Sequence, residues 1–228
     1  MLTLYYHPLS SFCHKALIAL YECGAAFEPH LVNLGDPDSR EAFLKLWPIG
    51  KFPVLRDSVR DRIVPESTTI IEYLAQHYPG ASRLVPEDPD LARQARMHDR
   101  FFDHYIHIQM QKIIGDMLRP EGAKDAFGVA QARATILTAY GMLEREIGDK
   151  TWAMGDAFTL ADCSAAPALL YANVVEPLKP AHPKAALYLD RLMERPSYAR
   201  TLKEAQPYLQ YYPMSARYFE LYPQQRPD

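Results

Sequence analysis

Short apolar β-type runs alternate with helix-period segments in the first third of the chain, whereas beyond about residue 90 only the helical period persists. Leu2 to Tyr6 reads as a strand ending at His7-Pro8, where the proline steers the chain into a turn. From about Ser11, Leu17, Leu20 and Tyr21 recur on one helical face, and Gly24 supplies a stop. Phe27 to Val32 predicts a second strand and Ser39 to Trp47 a short helix. Pro53 to Arg56 and Arg62 to Val64 then predict two strands around a polar turn. A helix opens at Ser67, with Ile70, Ile71, Leu74 and Tyr78 on the 3.6-residue period, and ends near Pro79-Gly80. The order β-α-β-α-β-β-α makes an α/β unit over residues 1–80.

Residues 81–90, with two prolines and several polar side chains, read as a linker. Residues 91–205 follow as an all-helical unit. Its long helices are predicted over Leu91 to Leu118, Lys124 to Ile147 and Leu160 to Tyr171, and shorter ones over Pro183 to Glu194 and Ser197 to Ala205. The tail, 206–228, holds four prolines, five tyrosines and Phe219; it is too aromatic for ordinary disorder and is expected to pack along the helices.

Composition changes this picture little. At 48% hydrophobic, 23% charged and net charge -3 the chain is ordinary globular, with no electrostatic pull toward nucleic acid or an anionic membrane. No apolar run approaches the twenty residues of a spanning helix, and the start lacks a leader pattern. Cys13, Cys23 and Cys163 show no metal-ligand spacing, so no metal is expected and a reduced, cytoplasmic setting is the simplest reading.

Three segments at element edges carry the chemistry. Ser10 lies between a strand end and a helix start, where free N–H groups and the helix dipole favour negative charge. Its hydroxyl, or that of Ser11, can donate to a thiolate and so lower a ligand thiol's pKa; a plain helix cap is the alternative role. Cys13, one turn on, reads as a small buried helix residue. Phe52-Pro53 opens a strand, and with a cis bond the Phe52 backbone would present itself to an extended peptide. Lys51 beside it can meet a carboxylate or simply be solvated. Glu66 and Ser67 open the next helix, the acid suited to an ammonium and the hydroxyl to a carboxylate. A small peptide bearing a thiol, an amine and carboxylates fits that set.

These residues resemble the cytosolic glutathione S-transferases, through nearly the whole chain to about Ala205. Tyr5-Tyr6-His7-Pro8-Leu9-Ser10-Ser11-Phe12-Cys13 is similar to the serine-type theta, delta and zeta members. Trp47-Pro48-Ile49-Gly50-Lys51-Phe52-Pro53 is similar to their N-P-x-G-K-V-P run, with Trp47 and Phe52 as aromatic departures. Gly155-Asp156-Ala157-Phe158-Thr159-Leu160-Ala161-Asp162 is similar to their G-D-x-x-T-x-A-D run, which reads directly as a helix capping box. The resemblance implies a thioredoxin-like N-terminal domain and an all-α C-terminal domain. It implies Ser10 (alternatively Ser11) as the residue that stabilises the thiolate. Ser11 also helps hold the tripeptide, Lys51 meets the glycyl carboxylate, Phe52 pairs by its backbone, Pro53 is cis, and Glu66 and Ser67 hold the γ-glutamyl end.

By the same resemblance glutathione is a cosubstrate, the partner is a small hydrophobic electrophile, and the protein is a homodimer. Phe12 and Tyr105 are expected at the electrophile pocket, and Asp99 or Asp103 toward a partner subunit's site. His104 and His107, at i,i+3 on a predicted helix, are expected as surface or inter-helix hydrogen bonders more than as ligands or acid-base groups. Rival readings are glutathione-dependent isomerisation of a diacid, dehalogenation, thiol-disulfide exchange through Cys13, and a non-catalytic binding protein on the same fold.

Overall fold

The computed structural model describes residues 1–227. Four strands form one mixed sheet: β1 (Leu2–Tyr6), β2 (Phe27–Leu31), β3 (Val54–Asp57) and β4 (Arg62–Pro65), in the order β2-β1-β3-β4. β1 runs parallel to β2 and antiparallel to β3, and β3 is antiparallel to β4. The parallel pair requires a crossover, which α1 (Ser11–Glu22) supplies. α1 is buried from Cys13 to Leu20, and α3 (Ser67–His77) packs beside it through Ile70, Ile71 and Leu74. Between them in sequence, α2 (Pro37–Leu46) is capped by Asp36, whose carboxylate accepts from the Ser39 N–H at 2.8 Å. This is a thioredoxin-like domain.

The rest is helical: α4 (Pro89–Phe101), α5 (Ile108–Met117), α6 (Ala126–Ile147), α7 (Leu160–Val175), α8 (Pro183–Glu194), α9 (Pro196–Ala205) and α10 (Ser215–Leu221). α7 is buried on nearly every face and forms the axis of the domain. Its start is fixed as the sequence predicts: Asp162 accepts from the Thr159 N–H at 2.8 Å, while Thr159 caps the first turn. Asp162 also accepts from the Ala153 N–H at 2.8 Å and from the Tyr188 hydroxyl at 2.6 Å, which accounts for a carboxylate in an apolar core.

The long helix expected over Leu91 to Leu118 is not uniform: residues Phe102–His107 wind as a π-helix between α4 and α5. Its looser turns change which side chains share a face. His107 is buried and stacks on Phe12 with ring centroids 3.9 Å apart, while His104 is exposed, so the two do not form a pair. Asp99 and Asp103 turn inward. Lys15 of α1, fully buried, donates to Asp99 at 2.6 Å, to Asp103 at 2.8 Å and to the Thr68 hydroxyl at 2.7 Å. Ser164 adds a bond to Asp103 at 2.7 Å, and Arg100 bonds Asp99 at the solvent edge. The expectation that Asp99 or Asp103 points toward another subunit is thereby corrected. Both neutralise a lysine that would otherwise be a lone charge between the domains.

The tail packs on the helices. Leu209, Tyr212, Tyr218 and Tyr222 are buried, and Tyr212 and Tyr218 meet Tyr171 of α7 edge-on or tilted at 5.3 and 6.3 Å.

Candidate functional site

The turn between β1 and α1 places Ser10 at the cap position of α1, with extended backbone angles φ -77° and ψ 114°. Its Oγ accepts from the Cys13 N–H at 3.4 Å, a bond that does not use the hydroxyl proton. Two imidazoles brace this turn. His7 Nδ1 accepts from the Leu9 N–H at 3.2 Å, and His14 Nε2 donates to the Pro8 carbonyl at 2.6 Å. Burial pulls the His14 pKa down to about 4, so the ring stays neutral at pH 7 with one proton for that bond. Cys13 lies directly behind and is fully buried; burial pushes its thiol up to about 12, against smaller opposing hydrogen bonds from Ser10 and His7.

Across from Ser10, Gly50 takes φ +70°, a left-handed conformation that turns the chain into Lys51 and Phe52. The Phe52–Pro53 peptide bond is cis. Among the described residues no backbone group pairs with the Phe52 N–H or C=O, so both remain open to an extended ligand. Trp47 does not reach the cleft lining; it packs with Phe43, Val32 and Val54 in a small separate core under Phe52. The third segment holds a strained residue: Glu66, not a glycine, adopts φ +69° immediately before α3. Such a conformation costs about 1–3 kcal/mol and persists only where surrounding structure enforces it. Its effect is to expose the carboxylate beside the N–H groups that open α3, with Ser67 nearly buried at the first position.

All three segments meet around one cavity of about 460 Å³. Ser10, Lys51, Phe52, Pro53, Glu66 and Ser67 line it, joined by Phe12, Leu34, Gly50 and, from α5, Ile108 and Gln111. Its chemistry is mixed in sign: an ammonium at Lys51, a carboxylate at Glu66, hydroxyls at Ser10 and Ser67. That arrangement suits a zwitterionic, extended ligand.

A second cavity of about 410 Å³ adjoins it and shares Ser10, Phe52 and Gln111 with the first. Leu9 and Ser11 line it from the turn; Met110, Ile114, Gly115 and Leu118 from α5 and the residue beyond; Tyr171, Tyr212 and Pro213 from α7 and the tail. No residue lining it is charged.

Ser10 thus lines both cavities and Ser11 only the second. Phe12 belongs to the first cavity, not to the second. Tyr105 lines neither. It is half-exposed on another face, in a groove with Phe101, Thr135, Thr138 and Met142. Tyr105 sits within the π-helical turns before α5, which put it on that face. Sequence reasoning missed Ile108, Gln111, Gly115 and Leu118, although their three- and four-residue spacing marks one helical face. Spacing identifies such a stripe without saying what it faces. Among the described residues no group of three or more His, Cys, Asp or Glu side chains is set to hold a metal ion. No helix among them is long and apolar enough to cross a membrane.

Comparison with known proteins agrees with this geometry. Residues 4–82 match the family model of the glutathione S-transferase N-terminal domain, and residues 126–191 that of the C-terminal domain. A stringent starvation protein A homolog from Coxiella burnetii is 30% identical over 209 residues, covering 90% of this chain and 93% of the relative. Glutathione S-transferase GstB from Escherichia coli is 26% identical over 199 residues, covering 86% and 95%. Among solved structures, a glutathione S-transferase from Methylobacterium radiotolerans in complex with glutathione sulfonate superposes with a TM-score of 0.76. It is 30% identical, and the match covers 88% of this chain and 93% of that one. The chain belongs to the glutathione S-transferase family.

Proposed function

We propose that this protein is a glutathione transferase of the serine type, which binds glutathione in the first cavity and delivers its thiolate to an uncharged, hydrophobic electrophile in the second. The observation that carries the proposal is the position of Ser10: among the lining hydroxyls it alone faces both cavities, at the N-terminal end of α1. Its proton donates to the glutathione sulfur, and the α1 dipole adds to the preference for the anion. A lowered thiol pKa raises the fraction present as thiolate at neutral pH, which is the attacking species. Lys51 meets the glycyl carboxylate, the Phe52 backbone pairs with the cysteinyl unit, Pro53 keeps that edge turned to the cleft, and Glu66 and Ser67 take the ammonium and carboxylate of the γ-glutamyl end. Because no covalent enzyme intermediate forms, Ser10 acts by charge stabilisation alone.

The rival chemistries fit less well. A diacid substrate needs cations in the second cavity, and none of its lining residues carries one; His14 and Lys15 are buried behind the turn. Exchange through Cys13 needs an accessible thiolate, whereas this thiol is fully buried and held neutral. A binding-protein reading keeps one point in favour: a relative at 30% identity bears a name that is not a transferase's.

Two further parts of the proposal concern setting. The α4–α6 face exposes Met97, Tyr105, Leu137 and Met142, which suits a second copy of the chain and hence a homodimer; light scattering on the purified protein tests this. A cytoplasmic location agrees with three cysteines that form no disulfide.

The deciding experiment is a pH titration of thiolate ultraviolet absorbance for bound against free glutathione. A thiolate signal well below the free thiol's pKa supports the transferase. Saturable binding with an unshifted thiol supports the binding protein, and no binding overturns both.

A further inference from the structure

His7 stands where three segments meet, and it lines neither cavity. Its carbonyl accepts from the Ser10 N–H at 3.0 Å and its ring Nδ1 from the Leu9 N–H at 3.2 Å, so two consecutive amides of the β1–α1 turn end on one residue. The ring bond runs from a side chain to the N–H two residues on, the same bond that asparagine makes in an Asx turn. Burial lowers the His7 pKa from its ordinary value, which keeps Nδ1 an acceptor at neutral pH. The same ring stacks on Phe52, with centroids 6.1 Å apart and planes 22° from parallel. Phe52 in turn meets Phe43 at 6.2 Å. The run that this strand start resembles carries valine in place of Phe52, a residue with no ring to stack on. From the tail, Tyr208 meets His7 edge-on at 5.8 Å. His7, Phe52 and Tyr208 are each half-buried.

We propose that His7 is a positioning residue with two separable tasks: its Nδ1 sets the turn that aims the Ser10 hydroxyl at the glutathione sulfur, and its ring, backed by Tyr208, sets the Phe52 edge that pairs with the peptide. This rests on the transferase reading. The first task matters because a hydroxyl's bond to a thiolate weakens steeply once donor and acceptor fall out of line. Without the Nδ1 acceptor the Leu9 N–H loses its bond, and the residue next to Ser10 is less constrained. The second matters because the Phe52 N–H and C=O have no backbone partner among the described residues, so the packing of its side chain governs where they point. Tyr208 gives the tail a part in the glutathione site without lining it.

Two readouts that need no electrophile separate the tasks: the pH midpoint of bound-thiolate absorbance, and the calorimetric Kd for S-methylglutathione, which has no ionisable thiol. His7→Phe keeps a ring and removes the acceptor. The midpoint should then rise by roughly one unit, a tenfold loss of thiolate preference, with Kd within about twofold of wild type. His7→Asn keeps an acceptor for the Leu9 N–H and removes the ring. Kd should then rise roughly fivefold, the size of one aromatic pair, with the midpoint unmoved. Tyr208→Leu should follow His7→Asn to a smaller extent. Parallel losses in both readouts for both His7 variants, with a lower melting temperature, overturn the division in favour of a merely structural role. A Tyr208→Leu change in the midpoint alone overturns the tail's part. A wild-type protein with a lowered thiol midpoint and wild-type behaviour in both His7 variants overturns the inference alone. A wild-type protein that binds S-methylglutathione yet leaves the glutathione thiol unshifted overturns the transferase reading, and the Nδ1 task with it.

Discussion

The two cavities that share Ser10 are built by opposite means. The first is assembled from chain features that act locally: a helix cap, a proline-bounded strand edge, and a left-handed Glu66 at a helix start. The second sets the same first turn and Phe52 against side chains on α5, α7 and the tail, segments separated by as much as a hundred residues in sequence. A site made of backbone donors and helix ends changes little unless the fold does, because those groups are present whatever the side chain. A site made of side chains can be remade one substitution at a time. In this protein the anchored ligand and the variable one are thus divided between two kinds of architecture.

The strongest way to break the comparison is to remove what holds both cavities together. Replacing Lys15 by Met removes the buried cation that Asp99 and Asp103 share and leaves only Arg100, at the solvent edge, to face them; a loss of about 3–5 kcal/mol is expected by urea unfolding, with both cavities compromised. The same cluster predicts an acid limit. Burial opposes ionisation of Asp103, but Lys15 and His107 outweigh it and hold its pKa below the ordinary carboxylate value. A depressed folded pKa means that the contribution is complete above roughly pH 4, the unfolded value, and is lost progressively as pH falls below it. The melting temperature should therefore drop on acidification below that point, and more steeply than in Asp103→Asn.

Next in size, Ser10→Ala should reduce kcat about 10²-fold, as for loss of one donor to a developing anion, and abolish the bound-thiolate absorbance. The KM for glutathione should move little. If kcat survives in Ser10→Ala and falls in Ser11→Ala, the assignment passes to the neighbour. Ser67→Ala sharpens the contrast between anchoring and chemistry: a roughly tenfold rise in glutathione KM is expected with kcat nearly unchanged, the size of one hydrogen bond to a charged group. Equal falls in kcat would instead place Ser67 in the activation step.

The smallest effect is the most diagnostic of packing. The hydroxyls of Tyr171, Tyr198 and Tyr218 are buried without hydrogen-bond partners. Tyr198→Phe should be neutral or stabilising by up to about 1 kcal/mol, because it removes a desolvated group that gains nothing in return. A clear loss of stability would reveal internal water bridging the cluster.

Legibility in the sequence follows the same division. Ser10, Lys51, Phe52, Glu66 and Ser67 could be picked out because turns, caps and strand starts leave a local signature in residue type, and the cavity gathers all of them. The capping box at Thr159 and Asp162 was readable for the same reason. The facing of Tyr105 and Asp103 is set by the π-helical turns at Phe102–His107, of which periodicity carries no mark, and that of Asp99, in α4, by the buried Lys15 it pairs with. Phe12 lines the first cavity, and its direction is set by stacking on His107, ninety-five positions away by number and so invisible to local pattern. The buried role of Lys15 was hidden because a lone lysine in a sequence reads as surface until its partners are brought to it.

The cluster around Lys15 also bears on inheritance. Its cation comes from the thioredoxin-like half and its carboxylates from the helical half, so neither half is electrically complete alone. A chimera joining this first domain to the helical domain of a relative lacking both acids would bury a positive charge with no counterion. The reverse graft would leave two buried carboxylates with only Arg100, at the solvent edge, to face them. Recombination within the family should therefore tolerate crossovers on either side of this pair only when lysine and acids travel together, whatever the similarity of the two folds.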